Sequence, residues 1–114
     1  MLNYKDLKSM GLKHKFRAKP VDEDDCHFGS QLEHRYYKQL KLRQLSGEVV
    51  MFLTQVPLRL PGKKKYLVDF VEFLSNGEVV FTEIKGFDTP VGKLKIAQVE
   101  ELYPIKINIV RNVR

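Results

Sequence analysis

Three charged residues occupy strand positions where charge is costly. Asp69 interrupts the apolar run Leu67-Val68-Asp69-Phe70-Val71, and Glu83-Ile84-Lys85 closes the next one, Val79-Val80-Phe81-Thr82. A charge inside a half-buried strand needs compensation, and two carboxylates side by side repel each other. A hard divalent cation is one compensation. Mg2+, with Mn2+ as a substitute, takes oxygen ligands, accepts one or two protein carboxylates and completes its shell with water and phosphate. Such an ion polarises a phosphodiester, lowers the pKa of a bound water and stabilises the leaving oxygen. The backbone carbonyl of Ile84 is a further candidate ligand. Lys85 is the candidate for orienting the attacking water or neutralising charge in the transition state. Metal-dependent hydrolysis of a nucleic-acid phosphodiester is the chemistry these residue types suit. The Glu-x-Lys triplet alone carries little, because a chain with 8 Glu and 14 Lys in 114 residues yields one by chance. Its strand context carries the weight.

Geometry sharpens the expectation. Strand side chains alternate faces, so Glu83 and Lys85 share one face, and Asp69 joins them only in the right hairpin register. A two-residue turn at Asn76-Gly77 would pair Asp69 with Ile84. A three-residue loop, Ser75-Asn76-Gly77, pairs Leu74 with Glu78 and therefore Asp69 with Glu83. It also stacks Val71 on Phe81 and Phe73 on Val79. Gly77 suits the left-handed position that closes such a loop, so the three-residue loop is predicted.

The flanking elements must position these groups. Ser30 with Glu33 reads as a capping box opening a helix, with Leu32, Tyr36, Leu40, Tyr37 and Leu45 as its apolar stripe and Gly47 as its end. Val49–Leu53 and Gln55–Leu60 read as extended, with Pro57 favouring an edge. Pro61-Gly62 and Lys63-Lys64-Lys65 read as a basic loop before the strands Tyr66–Leu74 and Glu78–Ile84. Gly86–Gly92 reads as a loop, Lys93–Tyr103 as a helix with Leu94, Val99 and Leu102 inward, and Ile105–Ile109 as a last strand. The predicted order is helix, three strands, helix, strand: an α/β (α+β) chain with a mixed sheet of about four strands flanked by helices. Residues 1–29 lack clean periodicity and read as a basic arm, with a short helix near residues 4–10, and then a mobile acidic linker. Residues 30–114 form the core.

The net charge is +6, with 20 Lys+Arg against 14 Asp+Glu. Residues 1–19 carry six bases and one acid, and residues 33–65 carry eight bases and two acids. Residues 66–92 hold five acids and one base. A basic chain around an acidic middle suits an enzyme that holds cations against a phosphate backbone. Lys63, Lys64, Lys65, Arg35, Lys93 and Lys95 are the candidate phosphate contacts, and Gln55 is placed to reach the acids from the neighbouring strand. A single Cys26 excludes a disulfide framework and a Cys-rich zinc site, which points to a reducing cytoplasm. No apolar run is long enough for a membrane span, and the charged first 19 residues do not resemble a secretory signal.

Taken together, Asp69 and Glu83-Ile84-Lys85 on two strands, followed by a helix and a strand, resemble the PD-(D/E)XK nuclease superfamily. Val68 stands where the family name carries proline. The segments His27–Tyr37, Gln55-Val56-Pro57-Leu58, Tyr66–Phe70 and Glu83-Ile84-Lys85-Gly86 resemble small phage-borne endonucleases of that superfamily, several of which are Holliday-junction resolvases. The resemblance implies a restriction-endonuclease-like core and Mg2+ held by Asp69, Glu83 and the Ile84 carbonyl. It gives Glu33 the role of the upstream acidic residue, beside its role in the capping box. It also implies branched DNA as substrate and a symmetric homodimer, because a two-fold junction needs two cuts. The alternatives are a nicking or flap-type structure-selective nuclease, and a non-catalytic DNA-binding or packaging accessory.

Overall fold

Ser30 opens the first long helix where the sequence places it. Its backbone is extended and its Oγ accepts the Glu33 N–H at 3.1 Å, satisfying one of the donors a helix N-terminus leaves unpaired. The computed structural model describes residues 21–23 and 26–113. The basic arm and its expected helix near residues 4–10 lie outside the described residues. The acidic stretch read as a linker contains two short strands, β1 (Val21–Glu23) and β2 (Cys26–Phe28), which pair antiparallel. Helix α1 (Gln31–Leu45) follows, then β3 (Val49–Leu60), β4 (Lys64–Leu74), β5 (Val79–Ile84), α2 (Pro90–Leu102) and β6 (Ile107–Val110).

The main sheet has the order β3-β4-β5-β6. Its first two pairings are antiparallel, and β6 joins β5 in parallel, because α2 crosses over between them. This is the expected mixed sheet with two helices. Its β4–β5 hairpin has the predicted register, with Val71 on Phe81 and Phe73 on Val79. Leu74 donates to the Glu78 carbonyl at 2.9 Å, and Gly77 has φ +92. Only glycine adopts that conformation without penalty.

Five expectations are corrected. Strand β3 is one continuous edge strand rather than two, with Gln55 at φ +52 within it. Lys64 and Lys65 begin β4, and only Lys63 lies in the preceding turn. Helix α2 starts at Pro90, three residues early, because Thr89 caps it and proline is pre-shaped for a first helical position. Its buried face is Ile96 and Val99, while Leu94 is 60% exposed and Leu102 53%. Likewise Leu45, on the last turn of α1, is 85% exposed, past the end of the surface that Tyr36, Tyr37 and Leu40 cover.

Two apolar clusters cover the two faces. Phe28, Tyr36, Tyr37, Leu40, Val49, Phe70 and Ile84 pack under α1, whereas Tyr66, Val68, Val71, Ile107 and Leu60 pack with Ile96 and Val99 of α2. Along β4 the alternation therefore slips by one residue. Tyr66 and Val68 face α2, Phe70 faces α1, and Val71 faces α2 again. On β3 the slip falls between Phe52 and Val56. The two slips are neighbours, since Thr54 pairs with Phe70 and Val56 with Val68. The residues between are Gln55 and Asp69.

One acid is wholly structural. Glu72 is 1% exposed. Its Oε2 accepts from the Tyr36 hydroxyl and, at 2.7 Å, from Thr82 Oγ1, while its Oε1 accepts from Arg43 Nη1 at 2.9 Å. Burial and the adjoining Glu72 push the Tyr36 hydroxyl up to about 12. Arg43 also donates from Nε to Glu48 at 3.0 Å, so its charge is committed within the fold. Glu72→Ala strands three donors and opens a cavity, and it is expected to cost about 2–4 kcal/mol. Arg43→Ala, which leaves Glu72 its two hydroxyl donors, is expected to cost about 1–2 kcal/mol. Urea unfolding of both variants checks this order.

Candidate active site

The opening between β4 and β5 is made by a side chain taking the place of a backbone acceptor. Asp69 Oδ2 accepts the Ile84 N–H at 2.9 Å, and the main-chain pairing of the two strands ends at Phe70 and Thr82. Continuing that register sets Asp69 across from Glu83. On its other side, Asp69 Oδ1 accepts from Gln55 Nε2 at 3.2 Å. Gln55, expected to reach the acids from β3, does so. In an extended strand the N–H and C=O of one residue leave on the same side, so the Ile84 carbonyl opens toward the gap that Asp69 fills.

Three elements bring three carboxylates together: Glu33 from the first turn of α1, Asp69 from β4 and Glu83 from β5. Burial pushes Glu33 up to about 8, with the charges of Asp69 and Glu83 adding to it and the Gly29 N–H opposing. Burial, then the Asp69 charge, raises Glu83 to about 7. Asp69 is buried and raised as well, against the pull of the Ile84 N–H and Gln55. Among the described residues no three His, Cys, Asp or Glu side chains form a ready-made metal cage. The group nonetheless fits a cation that needs only one or two carboxylates. Glu83 Oε2 is buried and has no hydrogen bond of ordinary geometry, with the Tyr66 hydroxyl beside it and the Lys85 charge within reach.

Tyr66 belongs to this site, a role the sequence reading did not assign. Its hydroxyl is buried and, like Glu83 Oε2, has no hydrogen bond of ordinary geometry. Burial first, and then the Glu83 carboxylate beside it, push the phenol well above its ordinary range. No local signal marks it, because the meeting depends on the β4–β5 opening.

Lys85 follows directly after the acids. Its N–H donates to the Val110 carbonyl at 3.0 Å, and its charge reaches Asp69 and Glu83, favouring their ionised forms. Its ammonium lies against the first turn of α2. A Cβ at Gly92 would stand 2.7 Å from Lys85 Nζ and 2.9 Å from Thr89 Oγ1. Gly92 is therefore the space in which the ammonium sits. A glycine inside a helix is costly, and that was the available signal.

The candidate phosphate contacts divide. Lys63, Lys64 and Lys65 gather with Arg59 around a cavity of ≈ 610 Å³ at the far end of β3 and β4. Lys93 lines a smaller groove with Lys85, Asp88 and Arg111, and its ammonium lies 3.8 Å from Asp88. Lys95 is half-buried, and Arg35 is exposed on α1. Lys93 and Lys95 lie one turn inside α2 rather than at its start.

The raised carboxylates fix a sign. Glu33 ordinarily titrates near 4.5 and here near 8, so between those values the folded chain binds more protons than the unfolded one. Stability contributed by this group is present below about pH 4.5 and is lost as pH rises through about 8. Thermal unfolding in chelator is expected to show wild type losing stability relative to Glu33→Gln across that window. Parallel curves for the two proteins would contradict the crowding of the three acids.

No curated protein and no solved structure matches the chain. One family profile does, over residues 13–114, a span that takes in α1, the whole main sheet and α2. The chain belongs to that family, described as Protein of unknown function (DUF1064).

Proposed function

We propose that the chain is a metal-dependent endonuclease that hydrolyses DNA phosphodiester bonds, with branched DNA such as a four-way junction as its substrate. The observation that carries this reading is the group of Glu33, Asp69 and Glu83, one buried and two half-buried carboxylates from three elements with raised proton affinities, adjoined by Lys85. Burial and like charges arranged to shift several carboxylates together are a feature of sites of chemistry. The net charge of +6 suits a polyanionic substrate.

Asp69 and Glu83, with Glu33 and the Ile84 carbonyl, are the groups that would hold Mg2+ or Mn2+. When bound, that ion supplies charge for the crowded acids and polarises the scissile phosphate and a water. The remaining work falls to the chain. Glu33, as the alternative to holding the ion, takes the proton of a water attacking phosphorus. The phosphorus–oxygen bond to the leaving sugar oxygen breaks as the new bond forms, and that oxygen takes a proton from solvent water to leave as a hydroxyl. Lys85 offsets the negative charge that builds on the phosphate oxygens. Gln55 holds the Asp69 carboxylate in place without neutralising it. Branched DNA and a symmetric pair of chains follow from the likeness to junction resolvases, since two cuts across a two-fold junction require two sites. The single cysteine suits a reducing cytoplasm.

The test is cleavage of a synthetic four-way junction, a flap and a plain duplex of equal length, with Mg2+ and with chelator. Junction cutting that needs Mg2+ is expected, with rates on the flap and duplex lower. A flap preferred over the junction would make the chain a flap-type nuclease. DNA binding without any metal-dependent cutting would make it an accessory protein. Asp69→Asn is expected to lower the rate at least about 1,000-fold, and Lys85→Ala about 100-fold or more. Undiminished cutting by both variants would refute the assignment.

Gly92→Ala separates position from stability. A methyl group favours the helix by up to about 1 kcal/mol but crowds the capping Thr89 hydroxyl, a comparable cost, while it displaces the Lys85 ammonium. The variant is expected to melt near wild type and to cut up to about 100-fold more slowly. A wild-type rate would show that Lys85 does not act from its place over Gly92.

A further inference from the structure

The slip at Gln55 and Asp69 has a second result. Beyond it, β3 and β4 continue as a two-stranded ribbon, closed by the turn Pro61-Gly62-Lys63, with Gly62 and Lys63 at φ 77 and 58. One side of this ribbon, Val56, Leu58, Leu60, Tyr66 and Val68, packs toward α2. The alternate residues point the other way; Gln55, Pro57, Arg59, Lys65 and Leu67 are exposed, and Asp69 at the inner end is buried. They form rungs across the two strands. Arg59 pairs with Lys65 and Pro57 with Leu67, and continuing the register sets Gln55 across from Asp69, which it joins through its side chain.

The outermost rung sets two cations directly across from each other, an arrangement that destabilises a strand pair. Lys63 and Lys64 lie beside it, and the cavity they line with Arg59, Lys65, Pro57 and Leu60 has no acid in its wall. The middle rung is apolar, with Leu67 42% exposed. The innermost rung is the candidate active site. At about 6.8 Å per two residues, the cation pair stands roughly 13 Å from Asp69 along the strands. Cations and an uncovered apolar step therefore lie in line on one face and lead toward Asp69. An anion between Arg59 and Lys65 would turn their repulsion into two attractions.

We infer that this ribbon is a binding track for the DNA backbone flanking the scissile bond, with Arg59 and Lys65 gripping phosphate two rungs from the reaction centre. The inference rests on the nuclease reading for the identity of the polyanion and adds where the flanking strand lies. The Arg59–Lys65 rung supplies affinity and does not take part in the chemistry. Arg59 had no assigned role in the sequence, because only the pairing places it against Lys65.

Binding of the four-way junction in chelator, measured across a KCl series, tests it. Arg59→Ser with Lys65→Ser is expected to reduce the slope of log affinity against log salt by about 2 and to weaken binding about tenfold or more. Its melting temperature is expected to stay level or rise, since like charges are separated. Lys38→Ser with Lys106→Ser removes the same charge from exposed positions off the ribbon and is expected to leave the slope near that of wild type. A ribbon variant with an unchanged slope, or a control that lowers it equally, overturns the track. Wild type that binds DNA with a steep slope and never cuts it sinks the nuclease reading and leaves the track standing. Cutting by wild type with a slope indifferent to Arg59 and Lys65 does the reverse.

Discussion

The hydrogen bond from the Ile84 N–H to the Asp69 carboxylate, at 2.9 Å, diverts one main-chain donor from its ladder, and much of the molecule follows from that diversion. A backbone donor at this depth must be satisfied. Satisfying it with a side chain lets β4 and β5 part without stranding a buried group. The parting admits Glu83 beside Asp69 and gives Tyr66 a way to the same space. It also fixes where Lys85 emerges, one residue beyond the diverted amide and under the first turn of α2.

The same place changes the sheet. Because the alternation slips at Asp69 on β4 and next to it at Gln55 on β3, the sheet turns different residues to α1 and to α2 on either side of that rung. Two modest apolar clusters replace one continuous core, and the acids sit where the clusters meet. A positive φ at Gln55 is the cost of this turn for a residue other than glycine. Its amide then donates to Asp69, so the residue that bends the strand also holds the carboxylate that the bend exposes.

Local rules made some of this legible. Gly77 and the three-residue loop determine the register that sets Asp69 across from Glu83, and Ser30 and Glu33 mark the start of α1; both signals act within a few residues. The rest is long-range. Nothing in Gln55 announces a left-handed conformation, so β3 reads as two strands instead of one bent strand. Thr89-Pro90 did announce the start of α2, but the glycine at 92 masked it, because a glycine there is unfavourable until the Lys85 ammonium is in place. Leu94 and Leu102 are apolar enough to be read as core. The face that meets β3 and the end of β6 is instead the one carrying Ile96, Val99 and Tyr103, and Tyr103 donates its hydroxyl to the Arg59 carbonyl at 2.8 Å.

Two buried acids on one strand, three residues apart, meet opposite fates, and the difference lies in their donors. Glu72 receives a guanidinium and two hydroxyls, so its charge is spent within the fold and further burial costs little. Asp69 receives a main-chain amide and a neutral carboxamide. These fix its position and bring no positive charge of their own, while Glu83 has the Tyr66 hydroxyl beside it and no cation in hydrogen-bond contact. An arginine in place of Gln55 would complete the pairing and silence the acid. The chain instead keeps its cations at either end of the line, with Lys85 on one side and Arg59 and Lys65 two rungs away on the other. The acids are thus held near but not neutralised, which is the condition for a mobile cation and a phosphate to be drawn in.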